Sequence, residues 1–433
     1  MISILLPTRN RLEYLKFAIE SVLRQDFDDW EIIVYDNFSD QDIGGYVRSL
    51  NENRIRYFRT KAFVPVTENW NNALNESLGE YVIMLGDDDC LIPNALPALN
   101  LLIRQYKSPD LIYANGFVFA YPGVVPDFPA GYLTFSKNHG CAGRDPFWLN
   151  RGDALKWARA AMRLRRLAGF NMQYSVIRRP FIESLKDKGP FFQSPYPDYY
   201  ATVAMWLKAP RILISPAPLT IIGITSKSFG YFYVNNKQRQ GMETFLQNLP
   251  EKNRTGTTKS PLLPGSEHHS NWLIAMEHVR RNYGQEFGIG VDYKKYRRLQ
   301  IAYVYRNYFI TAGISAQQLA ELRGQMTARE RLFYGLPLEL ALRLTRILPK
   351  KIQKFLMDIW EHLLYGWPLN AGARLLRVLP EKIKKLLPPN LYGMDAGVKI
   401  QSKNARQESF GDIIQAFDFI GPASNAGILK GRV

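Results

Sequence analysis

Three consecutive carboxylates, Asp87-Asp88-Asp89, carry the sharpest chemical signal in the sequence. Like charges this close repel one another and are costly at a strand end unless solvent or a cation compensates them. Hard oxygen ligands on a short turn suit Mg²⁺ or Mn²⁺, with substrate phosphates completing the shell. The alternative reading is a solvated turn capping the helix that begins near Pro93. Other polar groups follow apolar runs elsewhere: Thr8 and Arg9 after Ile2–Leu6, and Asp36 and Asn37 after the run that begins at Glu31. There is no G-x-G-x-x-G after Leu6 and no G-x-x-x-x-G-K-[ST] anywhere. A dinucleotide fold or a P-loop ATPase needs those phosphate-cradling glycines, so both are excluded.

The elements that position these groups alternate between two periods. Ile2–Leu6 reads as a strand closed by Pro7, and Leu15, Ile19, Val22 and Leu23 form one helical stripe. Short apolar runs at Glu31–Tyr35, Ile55–Phe58, Tyr81–Leu85 and Leu111–Phe119 predict further strands, with helices at Ile43–Leu50, Asn69–Leu78 and Ile92–Tyr106. Repeated strand–helix units imply a mainly parallel sheet. In such a sheet the ends of parallel strands share one edge, where ligands enter, so Thr8, Asp36 and Asp87 belong to one site despite lying about 80 residues apart.

Composition narrows the class. The 433 residues are 46% hydrophobic and 22% charged, which excludes a mainly disordered or low-complexity chain. Two cysteines, Cys90 and Cys141, do not make a disulfide scaffold, and a reducing compartment follows. No apolar stretch approaches the roughly 20 residues that cross a bilayer. The chain therefore reads as cytoplasmic, or as resting on the cytoplasmic face of a membrane. The net charge of +17 is uneven: residues 1–150 hold 13 Lys/Arg and 19 Asp/Glu, so residues 151–433 carry the whole basic excess. A uniform nucleic-acid-binding surface does not predict that asymmetry, and no nucleic acid is expected as a partner.

With those residues located, the chain resembles the inverting nucleotide-sugar glycosyltransferases of family 2, of the bacterial surface-polysaccharide type, which have a GT-A fold. Four pieces carry the likeness in order: Pro7-Thr8-Arg9-Asn10; Ile32-Ile33-Val34-Tyr35-Asp36-Asn37-Phe38-Ser39-Asp40; Glu68-Asn69-Trp70-Asn71-Asn72-Ala73-Leu74 leading to Gly79-Glu80-Tyr81; and Met84-Leu85-Gly86-Asp87-Asp88-Asp89. The resemblance covers about residues 1–120 strongly and continues more weakly to about 230. It implies an α/β nucleotide-diphospho-sugar transferase fold with a mainly parallel central sheet, followed by a mostly helical C-terminal region. It divides the chain into a nucleotide-sugar-binding half (1–120), an acceptor-binding half (121–240), a linker with a helical extension (241–335) and a basic amphipathic region (336–433). The resemblance also implies roles: Thr8 near the nucleotide, Asp36 at the base, Asp87 facing the ribose and Asp89 as the ligand of Mg²⁺ or Mn²⁺. Asp88 is the neighbour shared between ribose and metal. Arg9 approaches the pyrophosphate or forms a surface ion pair.

Sugar transfer with inversion needs a base to deprotonate the acceptor hydroxyl. Asp198, in Gln193-Ser-Pro-Tyr-Pro-Asp198, precedes a helix-compatible apolar segment and resembles the family's acidic residue at an acceptor-side helix start. Asp198 is therefore the base candidate; a plain helix N-cap is the alternative, and Asp187 a weaker choice. The segment Gly169–Arg179 resembles the family's acceptor-side strand, with Arg178 or Arg179 approaching a phosphate or ending as a solvated charge. Where some GT-A enzymes have a late histidine metal ligand, this chain reads Ile222-Gly-Ile-Thr225-Ser226-Lys227-Ser228, with Lys227 able to offset pyrophosphate charge. His268 and His269 read as surface residues of a Pro/Gly/Ser-rich linker or flap at 250–270.

Ile352, Phe355, Leu356, Ile359, Trp360, Leu363 and Leu364 form a three-and-four spaced stripe within a basic stretch, 341–391. Such a segment suits an anionic membrane surface, and helix packing explains the stripe equally well. The expectation is a metal-dependent transfer of a sugar from a nucleoside-diphosphate sugar, a UDP-sugar favoured, to a saccharide or lipid-linked acceptor. Two rivals stand beside it: a nucleotidyltransferase of related fold, and a basic membrane- or nucleic-acid-binding module without catalysis.

Overall fold

The computed structural model describes residues 1–125, 130–136, 141, 143, 145–235, 237–249, 262–310, 313–349, 352–353 and 410–427. Ten strands form one sheet: β1 Ile2–Thr8, β2 Trp30–Asp36, β3 Ile55–Arg59, β4 Tyr81–Met84, β5 Cys90–Leu91, β6 Leu111–Ala120, β7 Tyr132–Ser136, β8 Phe147–Leu149, β9 Ser175–Arg178 and β10 Ile212–Ile224. Their order is β3-β2-β1-β4-β9-β6-β10-β5, with β7 added beside β6 and β8 beside β10. The pairings give β1, β2, β3, β4, β6 and β10 one common direction, with β9 reversed between β4 and β6. The expected mainly parallel sheet is present; the reversed β9 is an addition that the strand–helix alternation did not predict.

The strands read as continuous apolar runs because both faces are covered. Ile4 and Leu6 face one core with Leu15, Ile19 and Val22 of α1 (Leu12–Leu23), and Leu5 faces the other with Ala73 and Leu74 of α3 (Val66–Glu76). This is the two-residue alternation of a strand. The short α2 (Ile43–Ser49), capped by Asp42, connects β2 to β3, and α4 (Ala95–Gln105) follows the acidic turn and adds Leu96 and Leu99 to the α1 side.

On the opposite face lie α5 (Arg151–Met162), α6 (Arg179–Glu183) and α7 (Pro197–Lys208). Helix α7 is apolar nearly all round, from Tyr200 through Leu207, and is buried accordingly. After β10 come α8 (Phe229–Val234), α9 (Gln238–Phe245) and the long α10 (Glu267–Phe287), which packs on α7. Residues 262–270 of the expected linker therefore lead into a helix; 250–261 lie outside the described residues.

A smaller third core joins α11 (Tyr293–Phe309) to α12 (Ala316–Gln325) and α14 (Leu336–Arg346), with the short α13 (Ala328–Glu330) and a π turn at Arg331–Gly335 leading into α14. Capping boxes at Ser315 and Thr327 start the two short helices. Thus a mostly helical region follows the sheet, as the resemblance implied. The stripe expected at 352–364 and most of the basic stretch 341–391 fall outside the described residues. A last helix, α15 (Ile413–Gly427), returns to the sheet: Ile413, Ala416, Phe417 and Ile420 pack with α1 and β10, and Phe410 bridges Gly131 beside β7.

Candidate active site

Asp87, Asp88 and Asp89 follow β4 directly, at the same sheet edge as Thr8 of β1 and Asp36 of β2. The Thr8 hydroxyl donates to Asp87 Oδ2 at 2.8 Å, so residues 79 positions apart close one cluster. The cluster is 2–8% exposed, not a solvated turn. Burial without partners would neutralise these acids, and each has partners. Arg11 enters between the first two, donating to Asp87 Oδ1 at 3.0 Å and to Asp88 Oδ2 at 3.3 Å. Asp88 Oδ2 also accepts from the Ser228 hydroxyl. Asp89 takes three N–H donors: Gly86 N at 2.9 Å and Gln173 Nε2 at 2.7 Å on Oδ2, and Gly223 N at 2.7 Å on Oδ1.

Gly223 is required by this approach. A Cβ there would stand 1.7 Å from the Asp88 carbonyl oxygen. Burial, reinforced by the neighbouring Asp88 charge, pushes the Asp89 carboxyl up to about 8. Burial also raises Asp87, partly offset by Arg11. For Arg11 burial acts downward, but the attraction of Asp87 and Asp88 outweighs it and the guanidinium stays firmly protonated.

The sequence pattern did not single out Arg11, Gln173 or Ser228. Their signal is three-dimensional: Gln173 lies 84 residues from Asp89, and Ser228 lies 140 from Asp88. The Thr225–Ser228 turn also holds Arg11, which donates to the Lys227 carbonyl. Lys227 itself points the other way, donating to the Asn10 carbonyl at 3.0 Å.

Asp36 is fully buried. Its Oδ1 accepts from Ser39 N at 2.9 Å and its Oδ2 from the Tyr57 hydroxyl at 2.9 Å. Burial and that bond raise the Tyr57 phenol to about 12. Arg9 donates to the carbonyls of Asn37 (2.7 Å) and Phe38 (3.1 Å) and stacks 3.6 Å over Phe63, so it braces the loop after β2.

Asp198 occupies the second position of α7; Tyr196 stands at the N-cap and Pro197 follows it. Asp198 is therefore not the N-cap. Its carboxyl has no side-chain partner among the described residues. Burial pushes it up to about 7, opposed only by backbone N–H groups at the helix start. Two contacts bring this helix towards the acidic cluster. Thr202 donates to the Phe170 carbonyl at 3.0 Å, in the segment that carries Gln173, and the Tyr196 ring lies 6.5 Å from Phe229, next to Ser228. Asp187, the weaker base candidate, is surface-exposed and paired with Lys188.

Arg178 and Arg179 do not reach this edge. Because β9 runs against β4, Arg178 pairs with Tyr81 at the far end of the strand; it bonds Glu80, while Arg179 bonds the Gly79 carbonyl and Ser77. In α10, His269 is buried and His268 half-buried, packed against the protein rather than standing on the surface. The Tyr199 hydroxyl contacts His268 Nδ1 at 3.0 Å, and burial lowers the His268 and His269 pKa values to about 3 and about 4.

Among the described residues no three His, Cys, Asp or Glu side chains gather as a metal cage. Mg²⁺ commonly takes only one or two carboxylates and completes its shell with phosphate and water. Asp89 Oδ1 accepts a single N–H bond and retains acceptor capacity. These residues fit a cation shared with a phosphate substrate, not an all-protein cage.

Residues 3–144 match the family described as Glycosyl transferase family 2. This part of the chain is similar to that family. A glycosyl transferase of Escherichia coli K12 named for colanic acid biosynthesis, WcaA, is 35% identical over 136 residues, covering 30% of this chain and 49% of its own. The GalNAc(5)-diNAcBac-PP-undecaprenol beta-1,3-glucosyltransferase of Campylobacter jejuni is 41% identical over 101 residues, covering 23% and 33%. The chain thus spans half or less of the length of these family 2 relatives. Among solved structures, Staphylococcus aureus TarS 1–349 in complex with UDP-GlcNAc aligns over 80% of this chain and 90% of its own, at 15% identity and a TM-score of 0.42.

Proposed function

We propose that the chain transfers a sugar, with inversion, from a nucleoside-diphosphate sugar to a saccharide or lipid-linked acceptor, a UDP-sugar being the favoured donor. The observation that carries this reading is the Thr8–Asp87 closure of two strand ends around a buried acidic cluster in a family 2 region. The Campylobacter relative's name, with its undecaprenol-linked substrate, supports a lipid-linked acceptor.

Residues 1–120 form the donor half and 121–240 the acceptor half. Asp36 and Thr8 hold the nucleotide base side, and Asp87 and Asp88 face the ribose. Arg9 is assigned to shaping the pyrophosphate end through the loop after β2. Asp89 would hold Mg²⁺ or Mn²⁺, which supplies positive charge to a departing diphosphate. Asp198 accepts the proton of the acceptor hydroxyl as that oxygen attacks the anomeric carbon opposite the leaving nucleotide. A carboxyl near neutrality with free lone pairs supports that role.

The test is calorimetric binding of UDP-, GDP-, dTDP- and CMP-sugars, with and without Mn²⁺, to the wild type and Asp89→Ala. Metal-dependent binding of one donor, weakened at least about tenfold in the variant, is expected. Binding of no donor to folded protein would overturn the reading. Transfer of a nucleoside monophosphate instead of the sugar would make the chain a nucleotidyltransferase.

A further inference from the structure

Helix α14 has two apolar faces, and only one is packed. Leu342 is buried, and Leu338 is partly buried against the third core. On the other side Leu336, Leu340, Leu344 and Ile347 are 53%, 62%, 64% and 79% exposed. At 3.6 residues per turn these four fall within an arc of roughly 80°. The π turn before them adds Leu332 at 58% and Phe333 at 65% exposed. Scattered exposed leucines are ordinary on a surface, but an aligned row of six is not.

The charges around this row have one outward sign. Arg329, Arg331, Arg343 and Arg346 are exposed. The acids of the same stretch, Glu330 and Glu339, are turned inward at 15% and 17% side-chain exposure; Glu330 pairs with Arg297 and Glu339 with Arg323, and Arg343 also contacts Glu339. An outward apolar row with a cationic border complements a surface that is apolar inside and anionic outside. Among the described residues no helix is long and apolar enough to cross a membrane.

From this juxtaposition we infer that the outer face of the π turn and α14, Leu332 to Ile347, lies in the interface of an anionic lipid bilayer. Leucines on a packed helix enter the acyl boundary, while the arginines remain at the headgroups. The same basic character continues in sequence through Lys350, Lys351 and Lys354. The inference stands whether or not the chain transfers sugar, because its readout is lipid binding.

The test is co-sedimentation of the full-length protein with vesicles of phosphatidylcholine, alone or mixed with phosphatidylglycerol. Leu340→Asp/Leu344→Asp and Arg346→Glu are compared with wild type, and each is checked by thermal unfolding and light scattering. Wild type is expected to bind the anionic vesicles about tenfold more strongly than the neutral ones. The double leucine variant loses at least about tenfold of that binding with unchanged Tm, and Arg346→Glu loses less. Equal sedimentation of wild type and the leucine variant overturns the inference, as does no binding by wild type. A lowered Tm, or a dimer that falls apart in the variant with vesicle binding intact, also overturns it, assigning the face to another segment of the chain or to a second copy.

Discussion

The acids of the buried cluster and the half-buried Asp198 are treated in opposite ways. Asp87, Asp88 and Asp89 are bonded by Thr8, Arg11, Gly86, Gln173, Gly223 and Ser228, which leaves them little freedom to turn. Asp198 has only the backbone N–H groups of its own helix start. Carboxylates that hold a ligand benefit from being fixed before it arrives, whereas one that takes up a proton needs a free lone pair and a pKa near the working pH. On the proposed function, the contrast separates a binding side from a proton-transfer side.

Exchanging the free acid should break the contrast most visibly. Asp198→Asn is expected to slow sugar transfer about 10²–10⁴-fold while leaving donor affinity intact, measured by initial rates and calorimetry. A variant that turns over like wild type would remove Asp198 from the chemistry. Next in size, Arg11→Ala leaves Asp87 and Asp88 enclosed without their countercharge and should cost about 3–5 kcal/mol in urea unfolding. A loss under about 1 kcal/mol would mean that the cluster is screened by water.

A smaller effect separates activity from stability. The Asp198 carboxyl lies at about 7 in the folded chain against an ordinary 3.8, so the native state keeps a proton that the unfolded state releases. Stability from this group is therefore lost as pH rises from about 4 to about 7, while transfer should rise over the upper part of that window as the base becomes available. Asp198→Asn should melt higher than wild type at pH 8 and equal to it at pH 4, and any residual rate should lose the pH step. The smallest change tests the bound side: Tyr57→Phe removes one bond to Asp36 and should cost about 0.5–1.5 kcal/mol, seen as a modest fall in Tm.

Much of the acidic strand edge is legible in the sequence because it is written in local patterns. The runs Ile2–Leu6 and Tyr81–Leu85 give strands, and the polar residues that follow them, Thr8 and Asp87 to Asp89, mark the shared edge. The cluster's stability is not local. Arg11 looks like any cation at a helix start until Asp87 and Asp88 arrive beside it, and Gln173 and Ser228 lie on elements whose placement depends on the whole sheet. The misplaced residues have the same cause. Arg178 and Arg179 read as neighbours of the site only if β9 runs parallel, and its reversal sends them to the opposite end. His268 and His269 sit in a polar-looking stretch, yet α10 sets His268 half-buried against Tyr199 of α7 and turns His269 into the core against Gln300.

Helix α15 has a consequence for how the protein is made. Arg24 of the loop after α1 pairs with Asp418 at 2.5 Å, 394 positions later, and stacks over Phe417. A ribosome adding roughly 5–20 residues per second needs about 20–80 s to cover that interval. From the synthesis of β10 onward, the apolar patch of α1 and β10 that receives Phe417 and Ile420 stands uncovered on the nascent chain. The sheet is thus begun among the first parts synthesised and completed among the last, and a chaperone has the time between β10 and α15 in which to shield its open side.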